Sequence, residues 1–261
     1  MFSDKSHCIY KKNQIAEVIC QLRFPEILAI GAKPPVDFQE AIRGDFPRYS
    51  AQQESPAPKI SGHPGNLQLE NQQPTVNYQF ISQDGKWRIN LTSKFISLTC
   101  NQYTDWDAFA GKLDAPLAAF IKVYKPAYFE RIGLRYMNFF SRQELELEGT
   151  PFRDLFEPQY LGLLADEEVS EQNSSRSGVD ADLAIPGGCR VKIHAGPGIV
   201  KRNGQTDKEV KFVLDMDLFM NGNVPVNYSA GALQTLHNHA FPIFRGAIND
   251  TLHEAMEPII D

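Results

Sequence analysis

The order of its segments is the feature that most constrains how this chain folds. Strand-like stretches, in which apolar side chains tend to fall at alternate positions, come in groups of three, and each group is followed by a long amphipathic helix. The strand candidates are residues 15–24, 76–82, 86–92, 94–100, 128–140, 168–183, 189–200 and 209–219, and the helix candidates are residues 36–46, 106–123 and 229–256. Groups of strands punctuated by helices, without regular strand–helix alternation, predict an α+β fold with a mostly antiparallel sheet.

This order predicts two similar halves, each a mostly antiparallel sheet packed against a long helix. The first half spans residues 1–143 and the second spans residues 172–261, ending in the long C-terminal helix. Residues 144–171 form an acidic connector between them. The halves share no residue-level identity, so the repeat is one of topology. Residues 50–74 are rich in Pro, Ser, Gln and Gly and are predicted to form an irregular connection.

Charge is distributed unevenly along the chain. The formal net charge of −6 divides into +4 for residues 1–143, −8 for residues 144–171 and −2 for residues 172–261. The acidic connector is either a solvated linker face or a docking surface for a basic protein partner. The positive first half keeps nucleic acid among the candidate partners.

Cysteine use and hydropathy indicate a cytoplasmic protein. Cys8, Cys20, Cys100 and Cys189 lie far apart, without the spacing of a zinc site or of a disulfide framework. No apolar run reaches the length of a membrane helix, and the first ten residues lack the apolar centre of a signal peptide. We therefore expect no membrane partner, and the sequence contains no motif that predicts a cofactor. It leaves the oligomeric state open.

Two strand candidates carry polar side chains opposite an apolar face. Arg131 and Arg135 flank Gly133 on one strand, and Glu17 and Arg23 lie on another. If both strands share a sheet, one face gathers arginines and a carboxylate, a combination suited to bidentate binding of carboxylate or phosphate. Gly133 would let a ligand or a bulky neighbour approach the backbone. A structural ion pair of Glu17 with Arg131 or Arg135 is the alternative. The candidate ligand-binding residues are Glu17, Arg23, Arg131, Arg135, Tyr136 and Asn138.

Other residue sets predict further sites, each with an ordinary structural alternative. His194 follows Arg190 and Lys192 on one side of a strand, which would suit phosphate binding. Asp215 and Asp217 alternate on the next strand and would suit a divalent cation, although exposed aspartates on a strand are common. Trp87, Tyr103, Trp106 and Tyr136 would line a ligand cavity between sheet and helix, or belong to the core. No metal site is predicted, because His237 and His239 point in different directions on a helix.

Several segments resemble an uncharacterised, sporadically distributed prokaryotic family of about this length. The stretches Glu17-Val-Ile to Arg23-Phe24 and Arg131-Ile-Gly-Leu-Arg-Tyr136 carry the resemblance most specifically, and residues 87–98 and 103–109 and the C-terminal helix extend it over most of the chain. Gln14 departs from the family pattern, which has Pro there. The family has no established activity, so the resemblance implies no reaction, cofactor or partner.

No nucleophile–base pair occurs at a recognisable spacing, and no catalytic residue is assigned. We therefore expect a non-enzymatic binding or regulatory protein with a polar groove for a ligand or partner. The alternative is an enzyme or binder that acts on nucleic acid or on a phosphorylated substrate.

Overall fold

The computed structural model describes residues 2–54, 59–63, 66–70, 74–174, 176–202 and 205–259. The strands are β1 (Ile9–Tyr10), β2 (Ile15–Arg23), β3 (Arg48–Glu54), β4 (Lys59–His63), β5 (Asn66–Glu70), β6 (Thr75–Ile81), β7 (Trp87–Leu91), β8 (Phe95–Cys100), β9 (Phe129–Phe140), β10 (Val179–Ile185), β11 (Cys189–Arg202), β12 (Gln205–Val224) and β13 (Pro258–Ile259). The α-helices are α1 (Leu28–Ala32), α2 (Val36–Ile42), α3 (Trp106–Tyr124), α4 (Pro158–Leu161), α5 (Ser229–Arg245) and α6 (Asp250–Ala255). Short 3-10 helices lie at Phe152–Asp154, Gly162–Ala165, Glu171–Asn173 and Val226–Tyr228.

Nine strands form one continuous sheet in the order β10–β11–β12–β9–β2–β8–β7–β6–β3. Every neighbouring pair is antiparallel. This confirms the predicted mixture of helices with a largely antiparallel sheet. Strand β9 of the first half pairs with β12 of the second, so the strands of both chain halves belong to the same sheet. Two small two-stranded sheets, β1–β13 and β4–β5, stand apart from it.

Helices α3 and α5 pack on one face of this sheet, and the alternation of side chains decides which face is covered. On β2, Val18, Cys20 and Leu22 are fully buried, whereas the residues between them are only partly buried. The apolar stripe of α3 and that of α5 meet this face. One hydrophobic cluster contains side chains from both halves of the chain, so the halves share a core.

The irregular connection expected over residues 50–74 contains strands instead. Strand β3 pairs with β6 at the edge of the large sheet, and β4 pairs with β5. All seven residues of β3 are exposed, so they carry no apolar alternation that would reveal a strand. Residues 55–58, 64–65 and 71–73 of the same connection lie outside the described residues.

The single helix expected over residues 229–256 is broken into α5 and α6. Gly246 follows the end of α5, and the Asn249 side chain caps α6 by accepting a hydrogen bond from the Leu252 amide at 3.0 Å. Between these two residues, Ile248 forms a β-bridge with Phe156. The tertiary contact and the local cap together end the first helix before the second begins.

The acidic connector is more than a solvated linker. Its 3-10 turns and α4 place several apolar side chains in the core, while the side chains of Glu144 and Glu146 remain largely exposed. Arg142 forms an ion pair with Glu171 at 3.0 Å and lies over the Phe152 ring at 4.0 Å. The buried side chains are Phe152, Leu155, Phe156, Tyr160, Leu161 and Leu164.

In the part of the chain that the structure describes, no helix is long and apolar enough to cross a membrane. Cys8, Cys20, Cys100 and Cys189 are free, buried thiols. Burial raises the pKa of the Cys20 thiol to about 12, so this side chain stays protonated and behaves as a small core hydrophobe.

Candidate functional site

The face of the large sheet opposite α3 and α5 carries mostly polar and charged side chains, and we call it the open face. Its rows follow from the register: Lys192 lies opposite Asp217, and Asp217 lies opposite Arg135 on β9. Side chains two residues apart on each strand share this face. The charged residues of the open face that bear on the candidate sites are Glu17, Arg23, Arg131, Arg135, Asp180, Asp182, Arg190, Lys192, His194, Asp215 and Asp217.

Two arginines of β9 each bind an aspartate of β12. Arg135 donates from Nε to Asp215 Oδ1 at 2.7 Å and from Nη2 to Oδ2 of the same carboxylate. Arg131 Nη2 donates to both oxygens of Asp217, at 2.6 and 2.7 Å. The Asp215 hydrogen bond raises the pKa of the Arg135 guanidinium further above its usual value. Both pairs are partly buried, which makes them stronger than typical surface ion pairs.

The predicted ion pair of Glu17 with Arg131 or Arg135 is therefore wrong. Glu17 faces Met137 across the β2–β9 pair, and its nearest cation is Arg88, at 3.8 Å. The arginines reach away from β2 because the aspartates of β12 flank them on the other side. Which neighbouring strand supplies the carboxylates is a matter of sheet order, which alternation along one strand does not encode.

Arg23 and Arg131 lie directly opposite each other on β2 and β9. Arg131 has its aspartate, whereas Arg23 has no carboxylate partner among the described residues. Both arginines line a depression of about 600 Å³, together with Arg190 and Lys192. We call this the cationic depression. Its other lining residues are Gln21, Asp182, Asp217, Phe219 and Asn221.

The neighbouring part of the open face has the opposite charge balance. A depression of about 510 Å³ is lined by four aspartates, among them Asp180 and Asp215, and by Arg135, Lys192 and His194. His194 Nδ1 and Asp180 Oδ1 share a hydrogen bond of 2.8 Å on the exposed surface. The predicted basic stripe is therefore neutralised along β10, where Asp182 contacts both Arg190 and Lys192.

The structure does not favour a divalent cation at Asp215 and Asp217, which the sequence analysis considered as an alternative to ordinary exposed aspartates. Each carboxylate is held by an arginine through two hydrogen bonds, and a divalent cation would have to displace a guanidinium that already neutralises it. Across the described ranges, no cluster of three or more His, Cys, Asp or Glu side chains is placed to hold a metal ion.

Tyr136 and Asn138 do not belong to the open face. Both are buried on the helix-covered face, since they alternate with Arg135 and Met137 along β9. The six candidate ligand-binding residues therefore do not share one site: Glu17, Arg23, Arg131 and Arg135 share the open face, and Tyr136 and Asn138 line a separate cavity. The alternation of β9 alone separates these two sets.

That separate cavity has a volume of about 110 Å³ and lies between the sheet, α5 and the chain before α3. We call it the aromatic cavity. Tyr103, Trp106 and Tyr136 line it, which is one of the two alternatives that the sequence left open, whereas Trp87 is not among its lining residues. Helix α5 supplies His237, Ala240, Phe241 and Phe244, whose spacing puts them on one helical face. The N-terminal residues His7, Cys8, Ile9 and Tyr10 complete the rim.

Hydrogen bonds and stacking fix the aromatic cavity walls. The Tyr136 hydroxyl and His237 Nδ1 are 2.9 Å apart and share a hydrogen bond. The Trp106 ring stacks on the His237 ring at 4.5 Å with an angle of 7° between the planes. Trp106 Nε1 donates to Gln234 Oε1 at 2.8 Å, which ties the start of α3 to α5.

Burial perturbs the titratable groups of this wall. Desolvation, reinforced by the nearby His7, lowers the pKa of His237 to about 4, so the imidazole is neutral at pH 7. Burial also raises the pKa values of the Tyr103 and Tyr136 hydroxyls. Sequence reasoning treated His237 only as a possible metal ligand. The helical spacing of His237 with Ala240, Phe241 and Phe244 is the sequence signal that could have placed it in the cavity wall.

Comparisons with known proteins do not assign the chain to a family. Neither the scan against protein-family models nor the search of curated proteins finds a match.

Proposed function

We propose that this chain is a non-enzymatic binding protein that recognises a carboxylate or phosphate group of its partner at the cationic depression. One observation carries the proposal: Arg23 lies opposite Arg131 and has no carboxylate partner among the described residues. Both arginines line the depression; Asp217 neutralises the charge of Arg131, whereas no described carboxylate pairs with Arg23. A bound anion would supply the missing countercharge.

The charge balance of the cationic depression also supports the binding of an anion there. Four cationic side chains line it, against the carboxylates of Asp182 and Asp217. Asp182 contacts both Arg190 and Lys192, and Asp217 is held by Arg131. The surplus is therefore positive, with one charge at Arg23 and a second shared by Arg190 and Lys192. The bidentate pairs around it fix the neighbouring side chains, so an incoming anion meets a preorganised surface.

The test uses fluorescence anisotropy with two labelled probes, a hexaglutamate peptide and a short single-stranded oligonucleotide, at low and high salt. We expect at least one probe to bind with an affinity that falls as salt rises, because the contacts are ionic. Arg23→Gln should weaken that binding about tenfold, the value of one lost charge-assisted hydrogen-bond pair. Failure of both probes to bind would contradict the proposal.

Arg43→Gln is the matched control. Arg43 lies at the end of α2, exposed and paired with Glu40 at 2.9 Å, away from the cationic depression. Its substitution should leave probe binding unchanged. If Arg23→Gln and Arg43→Gln weakened probe binding equally, the loss would reflect only the change in net charge, and the assigned site would be overturned. Cleavage of the oligonucleotide would overturn the non-enzymatic proposal and favour the alternative of an enzyme that acts on nucleic acid or on a phosphorylated substrate.

We also propose that residues 1–143 and 172–261 are structurally related halves. The order of elements supports this: the antiparallel strands β6–β8 precede the long helix α3 in the first half, and the antiparallel strands β10–β12 precede the long helix α5 in the second. The exposed acids of the connector, residues 144–171, remain a proposed docking surface for a basic protein. Four free thiols support a cytoplasmic location. Membership of the sporadic prokaryotic family stays a prediction from the resemblance.

A further inference from the structure

Asn138, one of the residues that line the aromatic cavity, carries an unsatisfied acceptor. Asn138 is 1% exposed, and its Nδ2 donates to the Leu214 carbonyl at 2.9 Å. Its Oδ1 is buried and has no hydrogen-bond partner within the part of the chain that the structure describes. Buried polar atoms are nearly always paired, so an unpaired one in a cavity wall indicates a missing donor.

The cavity walls define what kind of molecule supplies that donor. The described lining residues include neither lysine nor arginine, so an anion would meet no countercharge. His237 is neutral because burial lowers its pKa, and the one lining carboxylate, Asp105, caps α3 by accepting from the Ala108 amide. The walls are therefore apolar or neutral and suit an uncharged ligand.

The shape of the cavity walls narrows the class of ligand to planar molecules. The stacked pair of Trp106 and His237 forms a flat wall, and Phe241 and Phe244 follow on the same side of α5. A planar ring gains offset or edge contacts against such walls. A dry apolar cavity of about 150 Å³ holds one benzene molecule, and the volume of the aromatic cavity, about 110 Å³, is of the same order.

We propose that the aromatic cavity binds a small, neutral, planar molecule: a single aromatic ring that carries one O–H or N–H donor, which pairs with Asn138 Oδ1. This site is independent of the cationic depression, because the two lie on opposite faces of the sheet. The donor distinguishes the proposed ligand class from simple hydrocarbons, which would fill the space and leave the acceptor unpaired.

Phenol and benzene are the probes, and their binding to the whole chain is measured by isothermal titration calorimetry. The Trp106 indole resonance, followed by NMR, reports whether the binding occurs in this cavity. We expect saturable binding of both molecules, with phenol bound about fivefold more tightly, because one hydrogen bond to a buried acceptor is gained. Equal affinities, or no saturable binding of phenol, would overturn the proposal.

Two variants separate the cavity from the fold. Ala240 lines the cavity on α5, so Ala240→Leu should occupy the space and weaken phenol binding about tenfold or more. Ala230→Leu makes the same change at an exposed position of the same helix and should leave binding within about twofold of the unmodified chain. Equal effects of the two changes would refute the site.

Asn138→Leu tests the acceptor itself. This variant should bind benzene and phenol with equal affinity, because the acceptor that distinguishes them is gone. A preference for phenol that survives in Asn138→Leu would refute the role of Asn138. If the variant does not fold, the comparison of Ala240→Leu with Ala230→Leu still decides whether the cavity binds the ring.

Discussion

The guanidinium of Arg131 lies directly over Gly133, where an added Cβ atom would come within 2.2 Å of Nη1 and 2.8 Å of Cζ. The same guanidinium lies 4.6 Å from the centre of the Phe219 ring and binds Asp217. The Arg131 side chain therefore runs along its own strand and occupies the space that the missing side chain of Gly133 leaves. The sequence predicted that Gly133 admits a ligand or a bulky neighbour, and the neighbour is this arginine.

Gly133→Ala should therefore lower the stability by about 1–2 kcal/mol, because it displaces Arg131 from Asp217 and Phe219. The fold should persist, since the clashing atoms are the far end of a flexible side chain. Chemical denaturation measures the change. Gly111→Ala is the control: Gly111 lies in α3 with nothing within 4 Å of the added atom, so this change should stabilise the protein slightly. Equal stability of the Gly133→Ala protein and the parent would contradict the packing argument.

Arg135→Ala tests whether the open-face ion pairs support the fold. The side chain of Asp215 is 15% exposed, so removal of Arg135 leaves a largely buried carboxylate without its partner. We expect a loss of about 1–3 kcal/mol, measured by thermal unfolding. Asp215→Asn in the same background should recover part of the loss. Arg190→Ala breaks an exposed pair with Asp182 and should change stability by less than about 0.5 kcal/mol.

His237 should make the stability depend on pH. Its pKa is about 4 in the folded protein, against 6.5 for an unperturbed histidine such as that of an unfolded chain. Between these values the unfolded chain binds a proton that the folded chain does not. The contribution of His237 to the free energy of unfolding is therefore fully present above pH 6.5. This contribution decreases as the pH is lowered from 6.5 towards 4, and it changes no further below pH 4.

The measurement compares Tm against pH for the parent and for His237→Gln. Carboxylates titrate in the same range in both proteins, so the difference between the two curves isolates the histidine. The variant should lose less stability on acidification than the parent. His239→Gln, two residues further along α5, should keep the slope of the parent. Parallel curves for His237→Gln and the parent would show that the imidazole is not buried as described.

The sequence predicted secondary structure well where the spacing of apolar residues indicates which side chains are buried. Strand β2 and helix α3 were recognised because every second or every third to fourth residue is apolar. Strand β3 escaped recognition because it is an exposed edge strand without alternation. The break between α5 and α6 escaped because a β-bridge of Ile248 to Phe156, distant in sequence, helps to end the first helix.

The same limit applies to the candidate sites. Alternation by itself determined that Glu17, Arg23, Arg131 and Arg135 would share a face if β2 and β9 paired. Only the tertiary structure decided that β12 lies beside β9. As a result, Asp215 and Asp217 neutralise Arg135 and Arg131, and Arg23 has no carboxylate partner among the described residues. Periodicity is a property of a single segment, whereas pairing depends on which segments pack together to bury their apolar faces.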